Sequence, residues 1–143
     1  GLGNCNDRVN LSNIALNEGF SLTNAIHPKA VVAENVKLGK GVVIMAGAVI
    51  NCGSKIGDNV IINTCASVDH DCIIGDGTHI CPGVHLAGSV EIGKKSWIGI
   101  GSIVKDKTKI GKETTIGAGS VVVKDIPDNS IAFGVPAEIR IKK

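Results

Sequence analysis

The chain has 143 residues, of which 43% are hydrophobic and 2% aromatic, and its formal net charge is +2. A net charge so close to zero produces no broad region of positive electrostatic potential. Without a Lys/Arg run or an aromatic platform, we expect no nucleic-acid partner. No apolar run has the length of a membrane span and no signal peptide is visible, so we expect no membrane partner either.

Five cysteines occur without any CxxC spacing, and we interpret them as reduced thiols that mostly fill small spaces. They are Cys5, Cys52, Cys65, Cys72 and Cys81. Reduced cysteines suit a cytoplasmic protein, because disulfides persist mainly in oxidising compartments.

The first predicted element is an amphipathic helix over residues 6–18, which ends at Gly19. Its apolar positions are Val9, Leu11, Ile14, Ala15 and Leu16. Residues 20–26 are predicted to form a strand that leads into the next region.

From Ile26 to Val122 an aliphatic residue recurs every six positions, seventeen times without a slip. A small or β-branched residue follows most of them four positions later. A strict period of six does not match the 3.6-residue period of a helix, and the many glycines oppose one. The pattern therefore predicts an all-β solenoid with a triangular cross-section, in which each hexad is a short strand plus a corner and three hexads make one coil.

Glycine recurs every eighteen residues within this region, which is once in each predicted coil. The row consists of Gly39, Gly57, Gly75, Gly93 and Gly111. We expect these glycines to take a corner conformation that a Cβ atom would strain. Seventeen hexads then make between five and six coils.

The sequence KDIPDNSIAFGVPAEIRIKK after Val122 breaks the period. Pro127 and Pro136 predict a loop or arm in this segment that packs back on the coils.

Three stretches of the chain carry a resemblance to a known family: GLGN at the start, NTCASVDHD at residues 63–71 and GVPAEI at residues 134–139. With the hexad repeat, they resemble the hexapeptide-repeat sugar acetyltransferases, which include sialic acid O-acetyltransferases and UDP-amino-sugar N-acetyltransferases. The resemblance implies a left-handed parallel β-helix. It also implies three parts: residues 1–25 as the remnant of a Rossmann-like nucleotide-sugar-binding domain, residues 26–127 as the acyltransferase domain and residues 128–143 as a C-terminal arm. A complete βαβ unit needs about thirty residues, so residues 1–25 cannot hold one.

His70 lies between two aspartates, two residues after the inward Val68, and we expect it on the outer face of a strand. An exposed histidine on a repeat is by default a solvated residue. Gly88, however, lies one predicted coil further on, and it leaves a slot and an open N–H next to the imidazole. The resemblance implies that His70 is the general base, that Asp71 orients it, and that the Gly88 N–H stabilises the oxyanion while the acceptor attacks acetyl-CoA directly.

The resemblance also implies binding residues for both substrates. His79, Ile100, Gly101 and Ala118 match acetyl-CoA contacts, although a corner histidine and ordinary wall residues are alternative readings. Asn63 matches a position near the acceptor. Gly3 matches one that touches the nucleotide sugar, but it can equally be a turn residue.

Four lysines could offer charge to the coenzyme phosphates, but surface lysines are usually only solvated. They are Lys94, Lys95, Lys105 and Lys107. We interpret His27 and His85 as structural.

Two other chemistries are alternatives to the histidine mechanism. The γ-class carbonic anhydrases share such a solenoid and bind zinc through a His–(x)4–His pair and a third histidine, but five residues separate His79 from His85, so we expect no metal. A thiol nucleophile from Cys65, Cys72 or Cys81 is conceivable, although Cys72 falls in the inward row of small residues.

The resemblance thus implies an acetyl-CoA-dependent acetyltransferase that acts on the amino group of a nucleotide-linked sugar. Sialic acid O-acetylation is an alternative within enzymes, and a non-catalytic solenoid for assembly or binding is an alternative outside them. The resemblance implies a homotrimer with sites between chains, which agrees with outward apolar residues that suit solvent poorly. These are Trp97, Ile100, Val121 and Val123.

Overall fold

The computed structural model describes residues 2–142. Gly1 of the predicted remnant and Lys143 of the predicted arm lie outside these described residues. Helix α1 (Cys5–Asn17) begins after the N-cap Asn4, whose side chain accepts hydrogen bonds from two first-turn N–H groups. At its end, Gly19 has a φ of 85° and its N–H donates to Leu16. The predicted helix is therefore confirmed, with each end displaced by one residue.

Two expectations for this N-terminal region are wrong. Cys5 is the buried residue of α1, whereas the apolar side chains of Leu11, Ile14 and Leu16 are exposed, so the amphipathic face is not packed on the solenoid in a single chain. The strand predicted over residues 20–26 is reduced to Ala25–Ile26, because only there does an edge of the solenoid offer a pairing partner.

Within residues 2–142 nineteen strands follow the helix, and the first seventeen are two residues long and spaced six residues apart. They are β1 (Ala25–Ile26), β2 (Val31–Val32), β3 (Lys37–Leu38), β4 (Val43–Ile44), β5 (Val49–Ile50), β6 (Lys55–Ile56), β7 (Ile61–Ile62), β8 (Ser67–Val68), β9 (Ile73–Ile74), β10 (His79–Ile80), β11 (His85–Leu86), β12 (Glu91–Ile92), β13 (Trp97–Ile98), β14 (Ile103–Val104), β15 (Lys109–Ile110), β16 (Thr115–Ile116), β17 (Val121–Val122), β18 (Ser130–Gly134) and β19 (Ala137–Lys142).

The strands form three sheets, which are the three faces of the solenoid. The first face contains β1, β4, β7, β10, β13, β16, β18 and β19; the second contains β2, β5, β8, β11, β14 and β17; the third contains β3, β6, β9, β12 and β15. Each of the strands β1 to β14 pairs in parallel with the strand eighteen residues further on, as in Ile62↔Ile80. The predicted parallel solenoid with three hexads per coil is confirmed.

From β4 to β17 the second residue of each strand is buried in the core, which consists mainly of Ile, Val and Leu side chains, whereas Ile26 of β1 at the open end is exposed. The inward row four residues later includes serines and threonines whose hydroxyls donate to carbonyls of the next coil. Ser96, for example, donates to the Gly111 carbonyl at 2.7 Å. Among the described residues no buried side-chain nitrogen or oxygen lacks a partner, so the polar atoms of the core also join successive coils.

The glycine row has a different physical cause from the expected one. None of these five glycines has a positive φ. Instead, a Cβ atom at Gly75 would lie 2.6 Å from the Lys94 nitrogen, and the other four would meet the next coil in the same way. The corner positions with a positive φ lie elsewhere in the repeat, and residues other than glycine, such as Asn59 and Asp71, occupy several of them.

The predicted C-terminal arm packs back on the coils, and it does so as a hairpin of two strands. Strand β18 pairs in parallel with β16 and antiparallel with β19, so the segment extends the first face and covers the end of the core. Ala132 is fully buried there. No helix within the described residues has the length and apolarity that crossing a membrane requires.

Candidate active site

The turns that join the second face to the third form one edge of the solenoid, which we call the His70 corner. In the coil of interest β8 ends at Val68, so His70 lies in this turn and its side chain is exposed. The expectation of an outward histidine is confirmed, but the side chain is outward because it occupies a corner, not because it alternates along a strand.

His70 is held by its neighbour Asp71. Its Nδ1 atom lies 2.9 Å from Oδ2 of Asp71, which leaves Nε2 directed away from the carboxylate. This hydrogen bond, helped by the charges of Asp69 and Asp71, raises the pKa of His70 above its ordinary value, against a smaller desolvation effect. His70 is therefore a stronger base than a free imidazole.

Two stacked residues of the preceding coil support this pair, and sequence reasoning missed both. Asp71 has a φ of 58°, and a Cβ atom at Gly53 would collide with its carboxylate, so Gly53 leaves the room that the carboxylate needs. Asn51 donates to Asp69 Oδ1 at 2.9 Å, and the same oxygen accepts the His70 backbone N–H at 2.8 Å. These two bonds lower the pKa of Asp69, with Asn51 as the larger cause.

Both residues could have been found from the repeat. Gly53 and Asn51 lie eighteen positions before Asp71 and Asp69, so the predicted coil length already places each pair in contact.

Gly88 lies directly against the His70 ring. A Cβ atom at Gly88 would lie 2.5 Å from Nε2 and 2.6 Å from Cε1 of His70. Among residues 2–142 no protein group accepts from the Gly88 N–H. The ring nitrogen that faces away from Asp71 and an unused N–H donor therefore share one small region, an arrangement that suits removal of a proton and stabilisation of an oxyanion.

Three other candidate residues meet on the first face. His79 Nε2 lies 3.0 Å from Nδ2 of Asn63, and His79 Nδ1 lies 3.1 Å from the Gly3 carbonyl oxygen. Together with Leu2, Val43 and Ile61, they line a cavity of about 260 Å³.

His79 does not occupy a corner, as the alternative reading held. It begins strand β10, its side chain is 5% exposed, and its ring packs edge-on against Trp97 with centroids 4.5 Å apart. Burial lowers the pKa of His79, and the nearby Arg8 charge lowers it further, against a raising effect of the Gly3 hydrogen bond. His79 is therefore a neutral hydrogen-bonding residue at neutral pH.

The remaining candidates lie in the turns that join the first face to the second, which we call the Ile100 corner. Ile100 and Ala118 are both exposed there, one coil apart, and the Gly119 N–H donates to the Ile100 carbonyl at 2.8 Å. Gly101 has a φ of 67° and open space beyond its Cα atom. The predicted stacking along one line is confirmed.

One chain does not bring all the candidates together. The His70 corner and the Ile100 corner lie at opposite edges of the second face, about six residues of chain apart, which is roughly 20 Å. Among the possible phosphate partners, Lys105 and Lys107 belong to the His70 side. Lys94 instead pairs with Asp76 at 2.7 Å near the third face.

The geometry gives no support to a thiol nucleophile or to a zinc site. All five cysteines are free thiols, and burial raises the pKa of Cys72 and raises that of Cys81 to about 12, so neither is a thiolate at neutral pH. No group of three His, Cys, Asp or Glu side chains within the described residues could hold a metal ion. His85 bonds Ser67 at 2.7 Å, and His27 accepts the Lys29 N–H.

A cavity of about 640 Å³ lies on the third face, and its lining includes one of the candidate lysines, Lys94, but no other candidate residue. Two of its lysines, Lys109 and Lys112, are paired with Glu91 and Asp128. The charges of these two lysines are therefore already paired and are not free to bind a phosphate in this cavity.

The model of the bacterial transferase hexapeptide family, which comprises six repeats, matches residues 53–88 and 89–124, half of the chain. Both segments lie in the solenoid, and the first ends at Gly88. Among curated proteins, none matches the chain significantly.

Solved structures are similar over nearly the whole chain. PerB from Caulobacter crescentus, in complex with CoA and GDP-perosamine, is 50% identical with a TM-score of 0.96, over 97% of this chain and 67% of PerB. A histidine-to-asparagine variant of perosamine N-acetyltransferase from the same organism is 49% identical with the same TM-score, over 97% of this chain and 66% of that one. The acetyltransferase domain of PglB from Neisseria gonorrhoeae, in complex with acetyl coenzyme A, is 44% identical with a TM-score of 0.94, over 97% and 68%. The chain spans about two thirds of the length of these proteins.

Proposed function

The chain belongs to the bacterial transferase hexapeptide family, and from this premise we propose that it transfers the acetyl group of acetyl-CoA to the amino group of a nucleotide-linked sugar. The observation that carries the proposal is the His70 ring, oriented by Asp71 and lying against Gly88 with its unused N–H. The similarity to an N-acetyltransferase that binds CoA and GDP-perosamine supports the choice of substrates.

The proposed reaction is a direct transfer. The sugar amine attacks the thioester carbonyl carbon while Nε2 of His70 accepts a proton from the nitrogen, and Asp71 stabilises the imidazolium that forms. The carbonyl oxygen becomes an oxyanion that accepts a hydrogen bond from the Gly88 N–H. The C–S bond then breaks, and the imidazolium returns the proton to the thiolate of CoA. No acyl-enzyme is needed, which agrees with the protonated thiols of Cys72 and Cys81.

We further propose that the protein works as a homotrimer whose active sites form between chains. The outward residues of the second face carry no carboxylate and no lysine; they are Val31, Val49, Ser67, His85, Ile103 and Val121. The third face, in contrast, presents Lys37, Lys55, Ile73, Glu91 and Lys109. An uncharged face that exposes Val31 by 62% and Ile103 by 48% is poorly suited to water and well suited to contact with another copy.

The second face is bordered by the two corners that hold the separated candidates. A head-to-tail contact that closes after three copies would bring the His70 corner of one copy to the Ile100 corner of the next. The composite site follows from this arrangement, with the base from one copy and the coenzyme groove from its neighbour. The five free thiols favour a reducing compartment, and we propose the cytoplasm.

Acetyl-CoA consumption with GDP-perosamine, and with other GDP- and UDP-linked 4-amino sugars, tests the activity. Loss of a general base lowers the rate by about 10²–10⁴-fold, so His70→Ala should lose activity to that extent. His27→Ala is the matched control, because it removes another exposed histidine, whose ring accepts the Lys29 N–H and which is not one of the outward residues of the second face. Full activity of His70→Ala, or equal loss in both variants, would refute the assignment.

Mixed assemblies test the composite site. His70→Ala and Ala118→Trp should each be inactive alone, but their co-expressed hybrids should recover part of the activity, because some sites combine an intact His70 with an intact Ala118. If each site came from one chain, no mixture would recover. A monomeric mass in solution would also overturn the trimer.

A further inference from the structure

Arg8 on helix α1 is the centre of a set of backbone contacts that the proposed reaction does not use. Its Nε donates to the Asn59 carbonyl at 2.9 Å, Nη1 to the Leu2 and Gly3 carbonyls at 2.9 Å each, and Nη2 to the Gly77 carbonyl at 2.7 Å. Among the described residues Arg8 has no acidic partner. Its planar fork of donors is therefore used to hold the N-terminal segment against two corners of the solenoid.

The Gly3 carbonyl is shared between Arg8 and His79. It accepts from Arg8 Nη1 at 2.9 Å and lies 3.1 Å from His79 Nδ1. A carbonyl oxygen only accepts, so Nδ1 of His79 must carry the proton. Since burial lowers the pKa of His79 and keeps the ring neutral, Nε2 is left as an acceptor.

The amide of Asn63 leads to the same tautomer from the other side. Its Oδ1 accepts the Thr64 backbone N–H at 2.8 Å and is 3.2 Å from the Thr64 hydroxyl, so its Nδ2 faces His79 Nε2. Nδ2 is a donor, and the ring nitrogen opposite must accept. The second hydrogen of Nδ2 has no partner among the described residues, and Asn63 borders the cavity of about 260 Å³.

We propose that Arg8 is a positioning residue for the acceptor: it holds the Gly3 carbonyl on His79, fixes the Nδ1–H tautomer and thereby directs an Asn63 N–H into the cavity. This inference rests on the proposed function for the identity of the ligand that accepts this hydrogen bond. If the Gly3 carbonyl moved away, His79 could take the Nε2–H tautomer. Two donors, Nε2–H of His79 and Nδ2 of Asn63, would then face each other, and the Asn63 amide would have to rotate.

Nitrogen-resolved NMR of the histidine rings tests the tautomer in the purified protein. Wild-type His79 should be neutral with the proton on Nδ1. Arg8→Lys replaces a fork of donors with one ammonium group and should release Gly3, so the Nε2–H form of His79 should appear. The KM for GDP-perosamine should rise about tenfold, the worth of one well-placed hydrogen bond, with a smaller change in kcat.

Ser12→Ala is the matched control on the same helix. Ser12 donates to the Asn59 side chain at 2.7 Å, so its removal loosens α1 without touching Gly3. This variant should keep the Nδ1–H tautomer and the wild-type KM. A purely structural role of Arg8 would change the stability of both variants and the tautomer of neither.

Asn63→Asp gives a second measurement that does not depend on the folding of Arg8 variants. The new carboxylate opposite Nε2 can only accept a hydrogen bond, so Nε2 should carry a proton. The Gly3 carbonyl still accepts from Nδ1–H, so His79 should become an imidazolium at neutral pH. A neutral Nε2–H ring in this variant, or in the wild type, would overturn the proposal. Both NMR measurements need no substrate. Failure of the proposed function would appear only as absent turnover, with the tautomers as expected.

Discussion

Replacing Gly88 with alanine tests the central geometry of the site. The new Cβ atom would lie 2.5 Å from His70 Nε2, whereas ordinary van der Waals contact begins near 3.4 Å, so the ring must retreat by about 0.9 Å. His70 is an exposed side chain that can swing outward, and Gly88 has no positive φ that alanine would strain. The variant should therefore fold with nearly the wild-type stability.

The expected loss is in catalysis. A displacement of about 1 Å in a catalytic group can cost roughly 100-fold in rate, so we expect kcat/KM of Gly88→Ala to fall by about that factor. Alanine keeps the backbone N–H, so the loss would report the moved ring and not a missing oxyanion donor. As the ring leaves Asp71, the raised pKa of His70 should also fall toward its ordinary value, which histidine NMR measures.

Gly19→Ala is the opposite control. Gly19 has a φ of 85° at the end of α1 with open space around it, so alanine should cost about 1 kcal/mol of stability and leave activity unchanged. Wild-type kcat/KM in Gly88→Ala, or a loss that only parallels its fall in stability, would refute the reasoning.

Three further predictions concern pH, the core and one corner. Because His70 must be unprotonated to act, kcat/KM should rise with pH through a pKa above the ordinary histidine value. Asp71→Asn should shift this rise of kcat/KM to lower pH, and an unchanged pH profile would contradict the hydrogen bond as the cause of the raised pKa. Ser96→Ala removes the donor of the half-buried Gly111 carbonyl and the acceptor of the buried Thr114 N–H, and should lower the free energy of unfolding by about 1–3 kcal/mol in urea titrations; a neutral effect would contradict the role of the inward hydroxyls. Cys65→Gly relieves a non-glycine φ of 54° and should raise that free energy by up to about 1 kcal/mol; destabilisation would show that its side-chain contacts outweigh the strain.

The repeat explains why so much of the site could be predicted. In a solenoid a separation of eighteen residues is a contact, so His70 and Gly88 meet although they are distant in sequence. The same rule would have found Gly53 beneath Asp71. It also predicted the inward aliphatic row correctly from Ile44 to Val122, because each of those coils buries the same positions; Ile26, at the open end of the solenoid, is exposed.

The rule fails where the chain leaves the repeat. Helix α1 has apolar residues at helical spacing, yet most of them are exposed, because spacing along a helix does not say what lies against it. The C-terminal segment lacked the period and was predicted as a loop or arm on the coils, but its two strands were not predicted, because they depend on the open edge of the first face that pairs with β18.

The amino-acid sequence by itself determined the coil, its core and the pairing of His70 with Asp71 and Gly88, because a fixed period converts positions in the chain into positions in space. Only the tertiary structure decided the surroundings of His79. Its partner Gly3 lies 76 residues away, and the Arg8 contact to Thr78 spans 70, with no period to connect them. Tertiary structure also separated the His70 corner from the Ile100 corner, since a triangular cross-section places successive hexads on different faces.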